Sequence, residues 1–507
     1  MFNLLSGGFL AGLEVVIETI NTYLSNYVLL ILLVGAGLFF SIRTKFVQVR
    51  CFGEGMKNVF GKVSLNGEKQ KSGISSFQAL ATAVAAQVGT GNIVGASSAI
   101  LVGGPGAIFW MWIIAFFGMA TIYAEAVLAQ KTKIVNADGT VSGGPVYYIK
   151  QAFKGTFGKI LAAFFAVSLV LALGFMGAMV QSNSIANTAS SAFGVAGDSD
   201  NRLLIQGIIG AVVAIVAAFI FIGGIKRIAS VTEKLVPIMA ILFILGGLVF
   251  LGINIVDVPK SFGLIFKYAF NAKAVVGGGI GGAIYLALTQ GAKRGLFSNE
   301  AGMGSTPHAH AQANVKDPHE QGTTAMIGVF IDTFIVLTMT ALIVITAFYA
   351  PNVEIIETAV ANGKNWFEAN SIAGSNMLQK AMSGSFGEVF GNIFVAVCLF
   401  FFAFSTIIGW NYFGKVNVDY LFGKKGVLVY SIVSVLFIFA GSIVPETLVW
   451  DLADMFNNLM VIPNVISLVA LSGLVVKLTH FGKKSATDEM KENLSASEVD
   501  LDTAVEG

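Results

Sequence analysis

Apolar residues dominate the chain in runs of about twenty, and short polar segments separate these runs. A run of this length crosses the hydrocarbon core of a bilayer as an α-helix. The pattern predicts an all-α polytopic membrane protein with eleven transmembrane helices, at residues 25–42, 78–101, 106–130, 158–182, 203–223, 229–253, 276–305, 323–349, 385–412, 426–444 and 450–476. Because the polar segments between them are short, we expect a single transmembrane domain over residues 1–480.

The composition agrees with this pattern, since 55% of the residues are hydrophobic and 12% are charged. After residue 480 the chain becomes polar and carries seven acidic residues from Asp488 onward, so we expect 481–507 to form a disordered tail. Cys51 and Cys398 lie in different settings and predict neither a disulfide framework nor a metal site. The first twenty residues lack the features of a cleavable signal peptide, so we expect the first helix to be retained.

The basic residues are distributed unevenly among the predicted loops. If the N-terminus lies outside, 23 of the 31 lysines and arginines fall on the cytoplasmic side, which is the side where such residues accumulate. The bias predicts an external N-terminus and a cytoplasmic C-terminus in the cell membrane. Since topology accounts for the basic loops, the lipid bilayer is the expected partner and nucleic acid is not.

The segment AAQVGTGNIVGA places glycines and polar residues inside the second predicted helix. Unwound backbone at membrane depth is tolerated where it lines a cavity or is buried in protein. An interruption at Gly89, Thr90 and Gly91 would free carbonyl and amide groups beside Gln87 and Asn92, and so create a binding site. Close helix packing through small residues is the alternative. The glycine spacing is one residue too long for a dinucleotide-binding fingerprint.

The seventh predicted helix contains a second irregular stretch, QGAKRGLFSNEAGMG. We expect this helix to be interrupted at Gln290, Gly291 and Gly295. With the first helix set aside, the two irregular helices are the first and sixth of ten, which are corresponding positions in a five-plus-five inverted repeat. Discontinuous helices at corresponding positions indicate a transporter's binding site. The sequence therefore predicts a site for substrate and ion between them.

The backbone N–H and C=O groups that these two interruptions would free suit the binding of a zwitterion and a cation. Free N–H groups at a helix N-terminus favour an anion, which places a substrate carboxylate near the amides of Thr90 and Gly91. Carbonyl and hydroxyl oxygens suit a hard cation such as sodium. The segment FFAFSTIIGWNY adds the hydroxyls of Ser405 and Thr406, and Trp410 shares a helix face with Thr406. The alternative is that these two hydroxyls bind no ion and donate hydrogen bonds to backbone carbonyls of their own helix.

Ionisable residues inside predicted helices are functional candidates. Glu125 lies near the cytoplasmic end of its helix, so we expect its carboxylate to reach the lysines that follow. Arg294 with Glu300 or Asp332 is a candidate cytoplasmic gate. The chain contains no metalloprotease, esterase or Walker A motif, so we do not expect an enzyme.

Several motifs together resemble the alanine or glycine:cation symporter family of sodium-coupled amino-acid carriers. The matching segments are GTGNIVG (89–95), GGPGAIFWMW (103–112), GMATIYAEAVLA (118–129), GGPVYYI (143–149) and GLFSNEAGMGSTPHAHA (295–311). The similarity extends over almost the whole chain. It implies a leucine-transporter-like fold, in which ten helices form two inverted repeats with discontinuous first and sixth core helices, and here one extra helix precedes them.

The resemblance also implies a two-part site at the matching positions. The implied sodium ligands are Ala85, Val88, Asn92, Phe402, Ser405 and Thr406. The implied substrate contacts are Gln87, Thr90, Gly91, Gln290, Gly291, Thr406 and Trp410. Gln87 stands where the wider fold has a small residue, so whether it faces substrate is open.

Small side chains around the predicted site favour a small neutral amino acid such as alanine, glycine or serine. Without an ATP-binding motif, transport must draw on an ion gradient, and sodium is the expected co-transported ion. The predicted mechanism is alternating access around a fixed site. A proton-coupled or glutamine-selective carrier of the same fold is the alternative, and an amino-acid-gated channel is a weaker one.

Overall fold

The computed structural model of the chain describes residues 12, 15–61, 72–137, 139–195, 199, 201–222, 224–271 and 280–479. The predicted tail at 481–507 lies outside these residues. The described chain is almost wholly helical. A short antiparallel hairpin joins β1 (Ile134–Val135) to β2 (Val141–Ser142), with Ile134 opposite Ser142.

Long helices account for most of the described chain. They are α1 (Val15–Arg43), α2 (Ser76–Gln87), α3 (Gly91–Gly103), α4 (Gly106–Thr132), α5 (Gly155–Ala192), α6 (Arg202–Phe221), α7 (Gly224–Ile253), α8 (Ile280–Asn299), α9 (Pro318–Ala361), α10 (Glu388–Gly441) and α11 (Glu446–Ala470). By length and hydropathy, eight of the described helices can cross a membrane, and the bent pair of α2 and α3 brings the number to nine. The predicted number of eleven is therefore not confirmed.

Short helices lie in the segments between the long ones. They span Val47–Arg50, Phe52–Phe60, Pro145–Ala152, Val258–Phe270, Pro307–Ala311, Trp366–Ala369, Met377–Phe386 and Ser472–Leu478. Most of them lie in segments that the sequence predicts as loops. Pro307–Ala311 follows the end of α8 and becomes part of the site described below.

α10 contains two of the predicted transmembrane helices. A straight helix of its 54 residues would be about 80 Å long, far more than the hydrocarbon core of about 30 Å. The chain turns within it at Gly423, whose φ of 71° and ψ of −177° are not helical. The residues before and after this glycine form two separate helical segments, which correspond to the predicted helices at 385–412 and 426–444.

Burial separates inner helices from outer ones. In the most apolar stretch of α9, 72% of the residues are buried, whereas the corresponding share is 28% in both α6 and α7. The exposed faces of these outer helices carry large apolar side chains such as Ile215, Phe219 and Ile241. Such extensive apolar exposure is typical of a surface that contacts lipid.

The helix that enters the site, α2, begins at a well-defined cap. Ser75 Oγ accepts a hydrogen bond from the Gln78 backbone N–H at 3.1 Å, and Gln78 Oε1 accepts one from the Ser75 N–H at 3.1 Å. This reciprocal capping box satisfies two amides that the first turn leaves without helical partners. From this cap α2 runs into the buried centre of the protein, where every residue from Ala79 to Gln87 is buried.

Candidate functional site

The interruption predicted in the second helix is present between α2 and α3. α2 ends at Gln87, Val88 leaves the helical region with ψ of 88°, and α2 and α3 meet at a bend of 48°. Glycine is needed at position 89, because a Cβ atom there would lie 2.4 Å from Thr406 Oγ1. The break therefore brings bare backbone close to α10, and the predicted discontinuity of this helix is confirmed.

The second interruption lies further along the chain than the sequence predicts. α8 continues without a break through Gln290 and Gly291 and ends at Asn299. Glu300 then adopts a left-handed backbone with φ of 57°, a conformation that is uncommon for a residue other than glycine. From there a non-helical segment leads to Pro307–Ala311.

The prediction of a break at Gln290, Gly291 and Gly295 is wrong, because all three residues lie within α8. A Cβ atom on Gly291 would lie 2.8 Å from the carbonyl oxygen of Ala107, so this glycine allows α8 to pack closely on α4. A Cβ atom on Gly103, at the end of α3, would lie 3.3 Å from the Cβ atom of Gln290, so Gln290 faces the end of α3. Neither residue lies at the interruption, which removes the reason for placing substrate beside them.

The two interrupted segments meet inside the protein. Gln87 Nε2 donates a hydrogen bond of 2.7 Å to the carbonyl oxygen of Asn299. A Cβ atom on Gly91 would lie 3.1 Å from Ser298 Cα and 3.3 Å from the carbonyl oxygen of Phe297. The end of α8 thus packs directly against the start of α3, as expected for two broken helices that share a site.

Oxygen atoms from α2 and α10 converge at the first break. Thr406 Oγ1 lies 2.9 Å from the Ala85 carbonyl oxygen, 3.5 Å from that of Val88 and 3.1 Å from that of Phe402. Ser405 Oγ lies 3.2 Å from the Ala85 oxygen and 2.8 Å from the Phe402 oxygen. All five residues are buried. Five of the six predicted sodium ligands therefore lie together, and we call them the oxygen cluster.

The sixth predicted sodium ligand, Asn92, makes its hydrogen bonds with other residues. Its Nδ2 donates to Asp332 Oδ1 at 2.7 Å, and its Oδ1 accepts from the Gly89 N–H at 3.0 Å. Ser298 and Thr333 hydroxyls each donate to Asp332 Oδ2 at 2.9 Å. Asn92 thus belongs to a second polar cluster around the buried Asp332 carboxylate. Asp332 has these neutral donors as its partners and does not pair with Arg294.

A residue that the sequence analysis missed, Gln181 on α5, holds the start of α3. Its Oε1 accepts hydrogen bonds from the Thr90 N–H at 3.0 Å and from Thr90 Oγ1 at 2.7 Å. Among the described residues Gln181 Nε2 has no hydrogen-bond partner, although it is buried. The sequence signal was the polar run Gln181 to Ser184 inside an apolar helix. A donor left free beside Thr90 suits an incoming acceptor group.

Trp410 lies against the second interruption. Its indole Nε1 donates a hydrogen bond to Glu300 Oε1, and Ser305 Oγ donates to the other oxygen of the same carboxylate. The indole also meets the Phe297 ring edge-on, with 5.6 Å between ring centroids. A Cβ atom on Gly177 would lie 2.5 Å from the indole, so α5 packs tightly on it. Trp410 therefore forms a compact wall beside the end of α8.

Glu125 does not reach the lysines that follow α4. Its carboxylate is fully buried and accepts hydrogen bonds from the Gly302 N–H at 3.0 Å and the Gly304 N–H at 2.9 Å. Asn464 Nδ2 donates to it at 2.6 Å. The expected contact with these lysines is wrong, because the unwound segment after α8 supplies amide donors that the sequence pattern does not reveal.

The basic residues of α8 pair with α11 and not with Glu300 or Asp332. Lys293 Nζ lies 2.6 Å from Asp454 Oδ2, and Arg294 Nη1 lies 3.5 Å from Asp454 Oδ1. The Arg294 guanidinium also lies over the Trp450 ring, 4.4 Å from its centroid. The predicted gate between Arg294 and Glu300 or Asp332 is therefore wrong, and the structure offers Asp454 as the partner.

Comparison with protein families agrees with this architecture. The model of the sodium:alanine symporter family matches residues 10–495. The solved structure of MhsT in complex with L-phenylalanine has a TM-score of 0.55 at 14% identity, and the match covers 82% of this chain and all of that one. This similarity concerns the fold and agrees with the leucine-transporter-like fold that the motifs implied, whereas the arrangement of ten helices in two inverted repeats stays a prediction.

Curated relatives are similar over nearly their full lengths. The sodium/alanine symporter AgcS of Methanococcus maripaludis is 40% identical, over 94% of this chain and 98% of its own. The amino-acid carrier protein AlsT of Bacillus subtilis is 38% identical over 88% and 87%. The probable sodium/glutamine symporter GlnT of the same organism is 38% identical over 91% and 89%. The chain is therefore a multi-pass membrane protein and belongs to the sodium:alanine symporter family.

Proposed function

We propose that the protein couples inward movement of sodium to uptake of a small neutral amino acid such as alanine, glycine or serine. Membership of the family supports symport of a small amino acid, and the site geometry supports the finer assignment. The observation that carries the proposal is the oxygen cluster. Three carbonyls and two hydroxyls from α2 and α10 offer neutral oxygen ligands at the point where α2 unwinds.

Sodium binding at the oxygen cluster would order the first break. Ala85 and Val88 lie on the two sides of the helix end at Gln87, so an ion bound to their carbonyl oxygens fixes the direction of the unwound chain. Thr90 and Gly91 follow at once, and their amides are the proposed contacts of the substrate carboxylate. Sodium thus raises amino-acid affinity, and by linkage the amino acid raises sodium affinity by the same factor.

Packing around the proposed substrate position favours a small side chain. Phe297 and Trp410 close one side with their rings in contact, and Gly177 brings α5 against the indole. Gln87, Thr90 and Gly91 lie at the meeting point of the two breaks and are buried. A methyl or hydroxymethyl side chain would therefore require less rearrangement of Trp410 than a branched or aromatic one.

Uptake of labelled alanine into proteoliposomes tests the proposed function. We expect accumulation when sodium is higher outside than inside, and none when potassium replaces sodium on both sides. A proton gradient without sodium should give no accumulation. Accumulation that follows the proton gradient alone would favour proton coupling, and conduction without saturation by alanine would favour a channel.

A glutamine-selective carrier is the second candidate, since one relative bears the name of a probable sodium/glutamine symporter. Among the described residues Gln87 Oε1 has no hydrogen-bond partner, and it could accept from a substrate amide group. Competition by unlabelled glycine, serine, glutamine and leucine in the same vesicles separates the candidates. We expect glycine and serine to compete strongly and leucine to compete weakly.

The Gln181→Ala variant should weaken substrate binding. The change removes the free Nε2 donor and leaves the Thr90 amide and hydroxyl without their acceptor, which costs about 1–3 kcal/mol per buried polar group. We expect the KM for alanine to rise by about tenfold or more. The matched Gln206→Ala variant removes a glutamine that bonds to Asn187 near the start of α6, and its KM should stay within twofold of wild type. Equal KM values for both variants would contradict the assignment.

We further propose that the ion pair of Lys293 and Arg294 with Asp454 closes the external side of the site. With the N-terminus outside, α8 and α11 both begin at the external surface. Asp454 then lies about 12 Å along the axis of α11 from the external end of this helix. The ion pair is therefore between the external surface and the inner end of α8, where the site lies. The three side chains are at most 18% exposed, so separating them requires a coordinated movement of the two helices.

The Asp454→Asn variant should open this external side. Loss of the carboxylate removes the counter-ion that contacts both neighbouring cations, which favours separation of α8 from α11. The reporter is Gly95→Cys, close to Arg294 Cδ, in a chain with Cys51 and Cys398 replaced by alanine. A membrane-impermeant maleimide added outside should label it at least about threefold faster in Asp454→Asn. The Asp257→Asn control should not change the labelling rate, and an unchanged rate in Asp454→Asn would refute this external gate.

A further inference from the structure

A cluster of potential metal ligands lies away from the proposed transport site, at the end of the membrane domain where α1 ends and α9 begins. Cys51 stands between the short helices Val47–Arg50 and Phe52–Phe60, and Glu54 lies in the first turn of the latter. His319 is the second residue of α9. The thiol sulfur, a carboxylate oxygen and an imidazole nitrogen all lie within 4.8 Å of one another. Cys51 and His319 are buried, and Glu54 is exposed.

We propose that Cys51, Glu54 and His319 form a binding site for a divalent transition-metal ion, with zinc as the best match. Thiolate, imidazole and carboxylate together are typical zinc ligands, and three protein ligands leave a fourth position for water. The sequence predicts no metal site at Cys51, because the two cysteines of the chain lie in different settings, and His319 is far from Cys51 along the chain. The fold brings the two together.

The geometry of the Glu54 and His319 side chains fits a metal better than a strong ion pair. Glu54 Oε2 lies 3.3 Å from His319 Nε2, which is long for a charge-assisted hydrogen bond. Ligands at 2.0–2.2 Å from a tetrahedral zinc ion are separated by about 3.4 Å along each edge. The sulfur lies within 4.8 Å of the other two ligand atoms, so it must approach them by no more than about 1 Å to complete the tetrahedron, and rotation of short side chains can supply this movement.

The other imidazole nitrogen of His319 already has a hydrogen-bond partner. His319 Nδ1 and the Tyr123 hydroxyl are 2.5 Å apart, so the ring orientation is set by α4 and Nε2 is directed at Glu54. A metal-bound histidine usually makes such a hydrogen bond through its other nitrogen, which then carries the proton. Tyr123 is therefore the proposed positioning residue of the site.

The elements that carry the ligands are held together by other contacts. A Cβ atom on Gly55 would lie 2.7 Å from the Thr323 carbonyl oxygen, so Phe52–Phe60 packs closely on α9. Asn58 Nδ2 donates to Thr323 Oγ1 at 3.1 Å. The three side chains are therefore held near one another before any ion binds, and a bound ion would tie the segment preceding α2 to the first turn of α9.

Charge and protonation set the conditions for binding. Burial raises the pKa of the Cys51 thiol, Arg50 lowers it and Glu54 raises it, so the free thiol is protonated near neutral pH. Zinc binding then converts the thiol to a thiolate and releases one proton to solvent. The thiolate and the Glu54 carboxylate carry two negative charges, which outweigh the single positive charge of Arg50.

Titration of the purified full-length protein with zinc tests the proposal. We expect Cys51→Ser and His319→Gln each to weaken zinc binding by at least about tenfold, and Tyr123→Phe by about 10-fold to 100-fold. Cys398→Ala is the matched control, because this second cysteine is buried in α10, and it should bind zinc as wild type does. Sodium-driven alanine uptake without zinc verifies that each variant is folded.

Cobalt substitution gives a second readout that does not depend on affinity. A cobalt ion bound to Cys51 produces a sulfur-to-metal charge-transfer band, which should disappear in Cys51→Ser and persist in Cys398→Ala. Zinc isotherms that are identical in wild type, Cys51→Ser and His319→Gln would overturn the proposal and leave an ion pair of His319 with Glu54. A cobalt complex without the charge-transfer band would overturn it too.

Discussion

Sodium-driven alanine uptake by the Thr406→Ala variant should require at least about ten times more sodium than uptake by the wild type. Thr406 Oγ1 is the atom of the oxygen cluster that lies near all three carbonyl oxygens, those of Ala85, Val88 and Phe402. Removing a buried polar ligand costs about 1–3 kcal/mol, and every 1.4 kcal/mol changes affinity tenfold. The measurement is the half-saturating sodium concentration for alanine uptake in proteoliposomes.

Two further variants make this result specific. Thr406→Ser keeps the hydroxyl and should restore a half-saturating sodium concentration within about threefold of wild type. Thr132→Ala removes a threonine hydroxyl that bonds to the Leu128 carbonyl oxygen at the end of α4, and it should have no effect. If Thr406→Ala saturates with sodium as the wild type does, Thr406 is not an ion ligand.

The Gly89→Ala variant should reduce sodium-driven uptake to background. The added methyl group would lie 2.4 Å from Thr406 Oγ1 and 3.2 Å from Gln181 Oε1. Both atoms belong to the proposed binding groups, so relief of the clash must move either the oxygen cluster or the residue that holds Thr90. The measurement is initial uptake rate at saturating sodium, normalised to the amount of protein in the vesicles.

Gly95→Ala is the matched control for this prediction. It adds the same methyl group to the same broken helix, but the nearest atoms lie 3.9 Å and 4.0 Å away. This variant should keep at least about half of wild-type uptake, because ordinary van der Waals contact costs little. Equal loss of activity in both variants would mean that the broken helix tolerates no added methyl group at either position. The contact of Gly89 with Thr406 and Gln181 would then not explain the loss.

The first interruption was predictable because its cause is local. Gly89 and Gly91 flank Thr90 in an apolar helix, and unwinding at such a place needs only the intrinsic freedom of glycine. The hydroxyl pair Ser405 and Thr406 was found in the same way, as polar residues in an otherwise apolar run. Their convergence with Ala85 and Val88 required the family resemblance, since no local pattern joins α2 to α10.

The second interruption was misplaced because glycine has two uses in membrane helices. Gly291 resembles a helix breaker in the sequence, yet it lets α8 approach the Ala107 carbonyl oxygen closely. The break occurs instead at Glu300, whose left-handed backbone is uncommon for this residue type. Hydrogen bonds from Trp410 and Ser305 to the Glu300 carboxylate hold this residue in place, and they come from tertiary structure.

The partners of buried charges could not be derived from the sequence. Glu125 was expected to contact nearby lysines, but its carboxylate accepts from amides that become free only where the chain after α8 unwinds. Arg294 was expected to pair with Glu300 or Asp332, whereas its partner Asp454 lies on α11. In each case the sequence favoured a partner from the same or the next long helix, whereas the fold supplies partners from other parts of the chain.

Binding of alanine to the purified protein, measured in sodium and in potassium, tests the central claim most directly. The claim is that sodium at the oxygen cluster organises the broken helix that holds the amino acid. We predict that saturating sodium lowers the Kd for alanine by about 5-fold to 150-fold, and that Thr406→Ala raises by at least about tenfold the sodium concentration at which this effect is half-maximal. Equal alanine affinity in sodium and potassium for the wild-type protein would contradict the account.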